Sequence, residues 1–370
     1  MITVGNPTSD AVVIDGAAVA ETPTLRPKVT PFPDPRTKGW PFILCNSTQA
    51  ITNYLAYFGD EWLITDLTWM SHPDHAVVGI DHWSDLADWM ATNAPQITYG
   101  GYFSGRFGAT RAAQDAERAN PYALYNNEPR IDGYYPVYTD DLPADCIIAS
   151  PGPAAYPNSF YLDVTKDPTQ RLFCDLTVRR LLENDYPHGL SDEWENATQI
   201  AFLERMGHAH HSCGLRFVPN LGAWENWLTD DATIARIGAT ADAATFEMGY
   251  LTADDDQNQV PIGSQSELAA FMSKFERLAA TGCLVLFLPR YSDDFDNYDL
   301  PFFVALSLML GRAAVGRLIY RPVPDSADWM SQLGRRVGPI DVSAELVISC
   351  EFENGLLEVD ATTREVTLPS

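Results

Sequence analysis

"TQRLFCDLTVRRLLENDYPHGLSDEWEN", residues 169 to 196, is the stretch on which the fold turns. Its first half repeats Leu172, Phe173, Leu176, Val178, Leu181 and Leu182 near helical spacing, which predicts one buried stripe lying against a sheet. Residues 188–193 then read as a short buried strand, and Asp192, Glu193 and Glu195 crowd around Trp194 at its end. Helix followed by strand is one βα period. Three neighbouring carboxylates repel one another unless they face a wet cleft or open the next helix as its acidic first turn.

Outward from this stretch the same rhythm repeats. Apolar runs at 41–46, 61–67, 97–103, 188–193, 214–220, 245–251, 283–289 and 316–322 alternate with helical patterns such as "ATQIAFLERMGHAHH", "SQSELAAFMSKFERLAATG" and "PFFVALSLMLGR". Eight such units predict an α/β fold, a closed (β/α)8 TIM barrel over residues 39–343. A doubly wound sheet is the competing architecture, but no GxGxxG follows the first strand and no GxxxxGK[ST] occurs, so no nucleotide cofactor is expected. Residues 1–38 are rich in Pro, Thr and small side chains and read as an extended N-terminal arm, suited to an assembly partner. Residues 344–370 alternate apolar and polar positions around "ENG" and predict a small C-terminal antiparallel β unit. The Pro-, Gly- and Tyr-rich segment 119–160 reads as a long loop or insertion.

Composition narrows the function classes. Fifty acidic residues face 24 basic ones, only four of them lysine, for a net charge of -26, which excludes a broad nucleic-acid-binding surface. No apolar run is long enough to span a bilayer, and the N-terminus has no secretory pattern, leaving cytoplasmic and virion locations open. The six cysteines are scattered singly and read as buried thiols. The "HAHH" cluster at 208–211 ends a helical pattern and lacks a second ligand group, so no metal site is expected. That also counts against a metal-dependent deacetylase.

In a parallel barrel the C-terminal strand ends converge on one mouth. Those ends carry Asp66 with Trp69, Tyr102 with Arg106, Asp192 with Glu193, Asn220 with Trp224 and Glu225, Glu247, and Arg290 with Tyr291. Paired carboxylates among aromatic faces suit sugar chemistry: one acid protonates the leaving oxygen, another stabilises the oxocarbenium-like centre, and rings cover the apolar sides of pyranoses. Asp192, with Glu193 as its alternate, and Glu247 are the catalytic candidates. Asp66, Trp69, Tyr102, Asn220, Trp224, Arg290 and Tyr291 are the candidates for binding a glycan or polysaccharide. The competing expectation is a non-catalytic glycan-binding or structural barrel, for example a phage virion component.

The order of motifs carries a resemblance. "FYLDVTKDPTQRLFCDL", "HGLSDEWEN", "RFVPNLGAW", "FEMGYL" and "EFENGLLEVDATTREVTL" follow one another as the corresponding stretches do in the hypothetical glycosyl hydrolase families of bacteria, and more remotely in the polygalactosaminidase family. The resemblance covers about residues 40 to 370 and implies a TIM-barrel glycosidase with an acid at Asp192 or Glu193 and a partner at Glu247. The chain departs from the pattern at His188, which stands where Asp usually precedes Gly189; counting four residues from Gly189 reaches Glu193 rather than Asp192.

Overall fold

The computed structural model describes residues 100–112, 137–151, 159–183, 186–192, 194–248, 260–289, 300–317 and 329–369, together with short elements at 2–4, 12–14, 41–43, 88, 91–93, 124–125 and 128–129. Contacts divide the chain into two compact units. One comprises Met1–Pro31, Ile43–Asp60 and Ile64–Asn220; the other comprises Phe32–Phe42, Glu61–Leu63 and Leu221–Ser370.

The strands of the first half are β1 (Ile2–Val4), β2 (Val12–Ile14), β3 (Pro41–Ile43), β4 (Gly101–Ser104), β5 (Phe107–Ala109), β6 (Leu124–Tyr125), β7 (Glu128–Pro129), β8 (Val137–Tyr138), β9 (Ile147–Pro151), β10 (Ser159–Leu162), β11 (His188–Asp192) and β12 (Arg216–Pro219). The arm is not wholly extended: β1 and β2 pair antiparallel, Ile2 opposite Ile14 and Val4 opposite Val12, as β-branched residues favour. Instead of a bare loop, the Tyr-rich segment contributes to a four-stranded sheet ordered β8-β5-β10-β9. A three-stranded parallel sheet, β12-β11-β4, holds the opening motif's strand at its centre.

Helix α1 (Asp167–Glu183) precedes β11, and α2 (Ile200–Ser212) follows it. The buried stripe of α1 is Thr169, Phe173, Cys174, Thr177, Val178 and Leu181; Leu172, Leu176 and Leu182 stay partly exposed. Steps of four and three residues select Thr177 over Leu176, and its hydroxyl satisfies itself by donating to the Phe173 carbonyl at 2.6 Å. Against α2, Phe173 meets Phe202 at 5.7 Å and Arg205 reaches Asp167 at 2.8 Å.

The second unit carries α3 (Trp224–Trp227), α4 (Asp231–Thr240), β13 (Ala243–Met248), α5 (Gln265–Ala280), β14 (Leu284–Pro289), α6 (Leu300–Leu310), β15 (Ala313–Arg317) and α7 (Trp329–Leu333). Its sheet runs β13-β14-β15-β3, with β13 to β15 parallel. Sequences such as "LVLFLP" are continuous apolar runs because a parallel strand is covered on both faces. Phe246, Phe275, Phe287 and Phe303 form a relay of ring contacts 5.1 to 5.6 Å apart through this core. Helix α6 is apolar all round and buried, as its sequence requires. Asp230 caps α4 by accepting from Thr233 N–H, and Ser264 caps α5 by accepting from Glu267 N–H while its hydroxyl donates to the Glu267 carboxylate.

The C-terminal antiparallel sheet consists of β16 (Arg336–Val342), β17 (Val347–Phe352), β18 (Gly355–Asp360) and β19 (Val366–Thr367) in sequential order. Its first strand lies ahead of residue 344. Phe352 pairs with Gly355 across the Glu353–Asn354 turn, where Gly355 takes a positive φ of 141°. Arg336 ties this sheet to the helices by donating to the Gly338 and Met309 carbonyls and to Glu276.

Strands occur at seven of the eight expected positions; the second, 61–67, lies outside the described residues. The last begins at Ala313 rather than Gly316, straight after Gly311 ends α6 with a φ of 76°. Among the described residues the parallel strands fall into two sheets, and closure into one barrel is not found. The fold is mixed α/β. No described helix is long and apolar enough to cross a membrane.

Candidate active site

Asp192 is the last residue of β11 and stands in register with Ser104 on β4, while Tyr102 pairs with Leu190. On the other side Asn220, 3% exposed, continues the ladder by donating its N–H to the Ser191 carbonyl at 2.7 Å. Three predicted site residues, Asp192, Tyr102 and Asn220, therefore share neighbouring strands of one parallel sheet. Gly189 is required beneath them: a Cβ there would meet Phe103 at 2.6 Å and Leu181 at 2.8 Å.

The loop after Asp192 distributes its polar groups. The Trp194 indole is buried against Phe202 and Phe217 at 5.0 and 6.3 Å, and its N–H donates to Ser191. Glu195 turns instead to Arg106, 2.5 Å away, whose guanidinium lies 4.4 Å above the Tyr161 ring. Asn196 then caps the short helical turn 197–199 through Thr198 N–H. The crowding of acids is thus partly resolved by an ion pair, and Glu195 has a structural role. Glu193 lies outside the described residues, as do Asp66, Trp69, Arg290 and Tyr291.

His188 does not replace a catalytic acid. Its ring is fully buried over Gly100, where a Cβ would approach it to 2.3 Å. Burial first, and then the neighbouring charge of Arg216, hold it well below the usual histidine range, so it is neutral. His208, His210 and His211 are buried on the last turns of α2, where the His210 ring contacts Phe217 at 5.0 Å and its Nδ1 the Met206 carbonyl at 2.8 Å. Cys146, Cys174, Cys283 and Cys350 are buried and Cys213 is half-buried; Cys45 lies outside the described residues.

In the second unit, Ala243 to Phe246 of β13 are completely buried, and the strand emerges at Glu247, which is partly exposed. Residues 221–222 are stitched to this strand end: Leu221 N–H donates to Thr245 O at 2.8 Å and Glu247 N–H to Gly222 O at 3.1 Å. Trp224, expected to line a sugar groove, is 8% exposed and packs on Phe271 at 5.1 Å and Phe275 at 6.3 Å, with the Lys274 ammonium 5.0 Å over its ring. Its neighbour Glu225 stands at the same strand end. The Oε2 atom of Glu225 is buried with no hydrogen-bond partner among the described residues, and burial pushes the carboxyl up to about 7 against the opposing pull of its own backbone N–H and Lys274. A carboxyl next to a tryptophan and three residues from a strand-end turn was visible in the sequence; its desolvation was not.

No protein-family model matches the chain, and no curated protein does. Among solved structures it is similar to the glycoside hydrolase domain of PelA from Pseudomonas aeruginosa, at 13% identity over 70% of this chain and 88% of that one, with a TM-score of 0.40. It is also similar to the maltogenic α-amylase AmyB from Thermotoga neapolitana, at 10% identity over 88% and 84% of the two chains, TM-score 0.46. A third is the cycloalternan-degrading enzyme from Trueperella pyogenes, at 8% identity over 82% and 46%, TM-score 0.42. All three scores are below 0.5.

Proposed function

We propose that the chain is a glycoside hydrolase that cleaves a polysaccharide or glycan with paired carboxylates, on a (β/α)8 barrel spanning residues 39–343. The strand orders support the barrel: the third to fifth expected strands are consecutive neighbours in one sheet, and the sixth, seventh, eighth and first are neighbours in the other. The observation that carries the function is Glu247, a partly exposed carboxylate that follows the four buried residues 243–246 near the C-terminal end of a parallel strand, where sites of such sheets are found. Asp192 ends its own parallel strand in the same sense.

In this reading Asp192, with Glu193 as alternate, is the nucleophile or stabiliser, and Glu247 is the acid/base. Tyr102, Asn220, Asp66, Trp69, Arg290 and Tyr291 complete the substrate groove, and the arm 1–38 engages an assembly partner. The test is hydrolysis of a glycan panel by the wild type and by Asp192→Asn, Glu193→Gln and Glu247→Gln. Removing a working acid or base costs roughly 10²- to 10⁴-fold. The anomer of the released sugar reports retention or inversion, which corresponds to a carboxyl separation of about 5 Å or of about 6.5 to 9.5 Å. A wild type as inert as its variants on every glycan, yet retaining glycan binding, would show a binding protein instead.

A further inference from the structure

We infer that Glu225 is the proton donor of this site, the role that the reading above gives to Glu247, the other carboxylate of the second unit. The inference rests on the glycosidase reading and revises one role within it.

Three features converge on Glu225. The first is its anchorage: Leu221 and Gly222 are hydrogen-bonded to β13 at Thr245 and Glu247, and the chain turns straight from there into α3, where Leu228 N–H closes onto Trp224 O at 2.8 Å. The second is the division of α3. Trp224 and Trp227 are buried, and Trp224 packs on Phe271 and Phe275, while Glu225 and Asn226 between them remain partly exposed. Two buried indoles hold the turn rigidly, so the carboxyl between them has little freedom to swing away. The third is the buried Oε2, which has no hydrogen-bond partner among the described residues. Desolvation of that atom disfavours a carboxylate more than its own backbone N–H and Lys274 favour one, so the carboxylic acid is retained. The resulting value of about 7 lets the group hold a proton at neutrality and still release it, which is what a general acid needs.

The step balances without any redox partner. The bond between the anomeric carbon and the glycosidic oxygen breaks, its electron pair stays on the leaving oxygen, and that oxygen takes the proton from Glu225. Water supplies the new oxygen to the anomeric carbon, directly or after a carboxylate has attacked, and its displaced proton returns to a carboxylate. One water is consumed per bond cleaved.

Leaving-group dependence separates this role from a merely structural one. The full-length chain and its Glu225→Gln, Glu225→Asp and Glu247→Gln variants are assayed on methylumbelliferyl and 2,4-dinitrophenyl glycosides of the sugar that the wild type releases. Glu225→Gln is expected to lose about 10²- to 10⁴-fold on the methylumbelliferyl substrate and less than about tenfold on the dinitrophenyl one, which needs no protonation. The alkaline limb of its pH profile should disappear, and Glu225→Asp should retain part of that limb. Carbon-13 titration of the glutamate carboxyls should find one group near neutrality that is missing from Glu225→Gln. Equal loss on both substrates, or no carboxyl titrating near neutrality, overturns the assignment. If the dinitrophenyl substrate rescues Glu247→Gln instead, the donor is Glu247 and the glycosidase reading stands. A wild type inactive on every glycan fails that reading and the assignment together, whatever the titration shows.

Discussion

Replacing Glu225 by glutamine should stabilise the protein at alkaline pH and leave it almost unchanged in acid. The folded chain holds this carboxyl's proton up to about pH 7, whereas the unfolded chain releases it near the usual 4.5. Between those values the native state binds more protons than the unfolded one, so stability falls as pH rises through the window and stays low above it. At about 1.4 kcal/mol per pH unit, a fully buried group would cost about 3 kcal/mol above the window. Glu225 is only half-buried, and solvent screening reduces this to about 1 to 2 kcal/mol. Glutamine keeps the shape without the charge. Urea unfolding followed by tryptophan fluorescence should therefore show the variant more stable than wild type by about 1 to 2 kcal/mol at pH 8.5, and by less than about 0.7 kcal/mol at pH 5. A difference that does not change with pH, or a variant destabilised at pH 8.5, would refute the claim that burial governs this carboxyl.

Other perturbations test the packing. Trp194→Ala should cost about 3 kcal/mol in urea unfolding, because the indole is 7% exposed and contacts both Phe202 and Phe217. Ser264→Ala removes the cap of α5 and should cost about 1 kcal/mol, a loss that Ser264→Asp restores. Arg336→Met strips donors from the Gly338 and Met309 carbonyls and the partner from Glu276, so a loss of about 2 kcal/mol is expected, with amide exchange rising first in β16. Finally, with a net charge of -26, raising NaCl from about 0.1 M to about 1 M, which shortens the screening length from about 10 Å to about 3 Å, should raise Tm by several degrees. A falling Tm would mean that ion pairs such as Arg106–Glu195 outweigh the general repulsion.

Periodicity alone determined that α1 precedes a short strand at His188–Asp192, that a helix follows in "SQSELAAFMSKFERLAATG", and that "ENG" turns a hairpin, because each depends on residues a few positions apart. Acids at strand ends could be read for the same reason. Tertiary structure decided what those acids face. Glu195 is matched by Arg106, which only the pairing of β4 with β11 brings near, and His188 is neutral because it is packed over Gly100. The stripe of α1 passes through Thr177 rather than Leu176, since burial follows the angle at which the helix meets its neighbours and not hydrophobicity alone. Glu225 shows the difference most plainly. Its place after a strand was evident in the chain, but its proton affinity depends on how much water the surrounding aromatic core excludes, and desolvation is a property of the folded surroundings that no local pattern encodes.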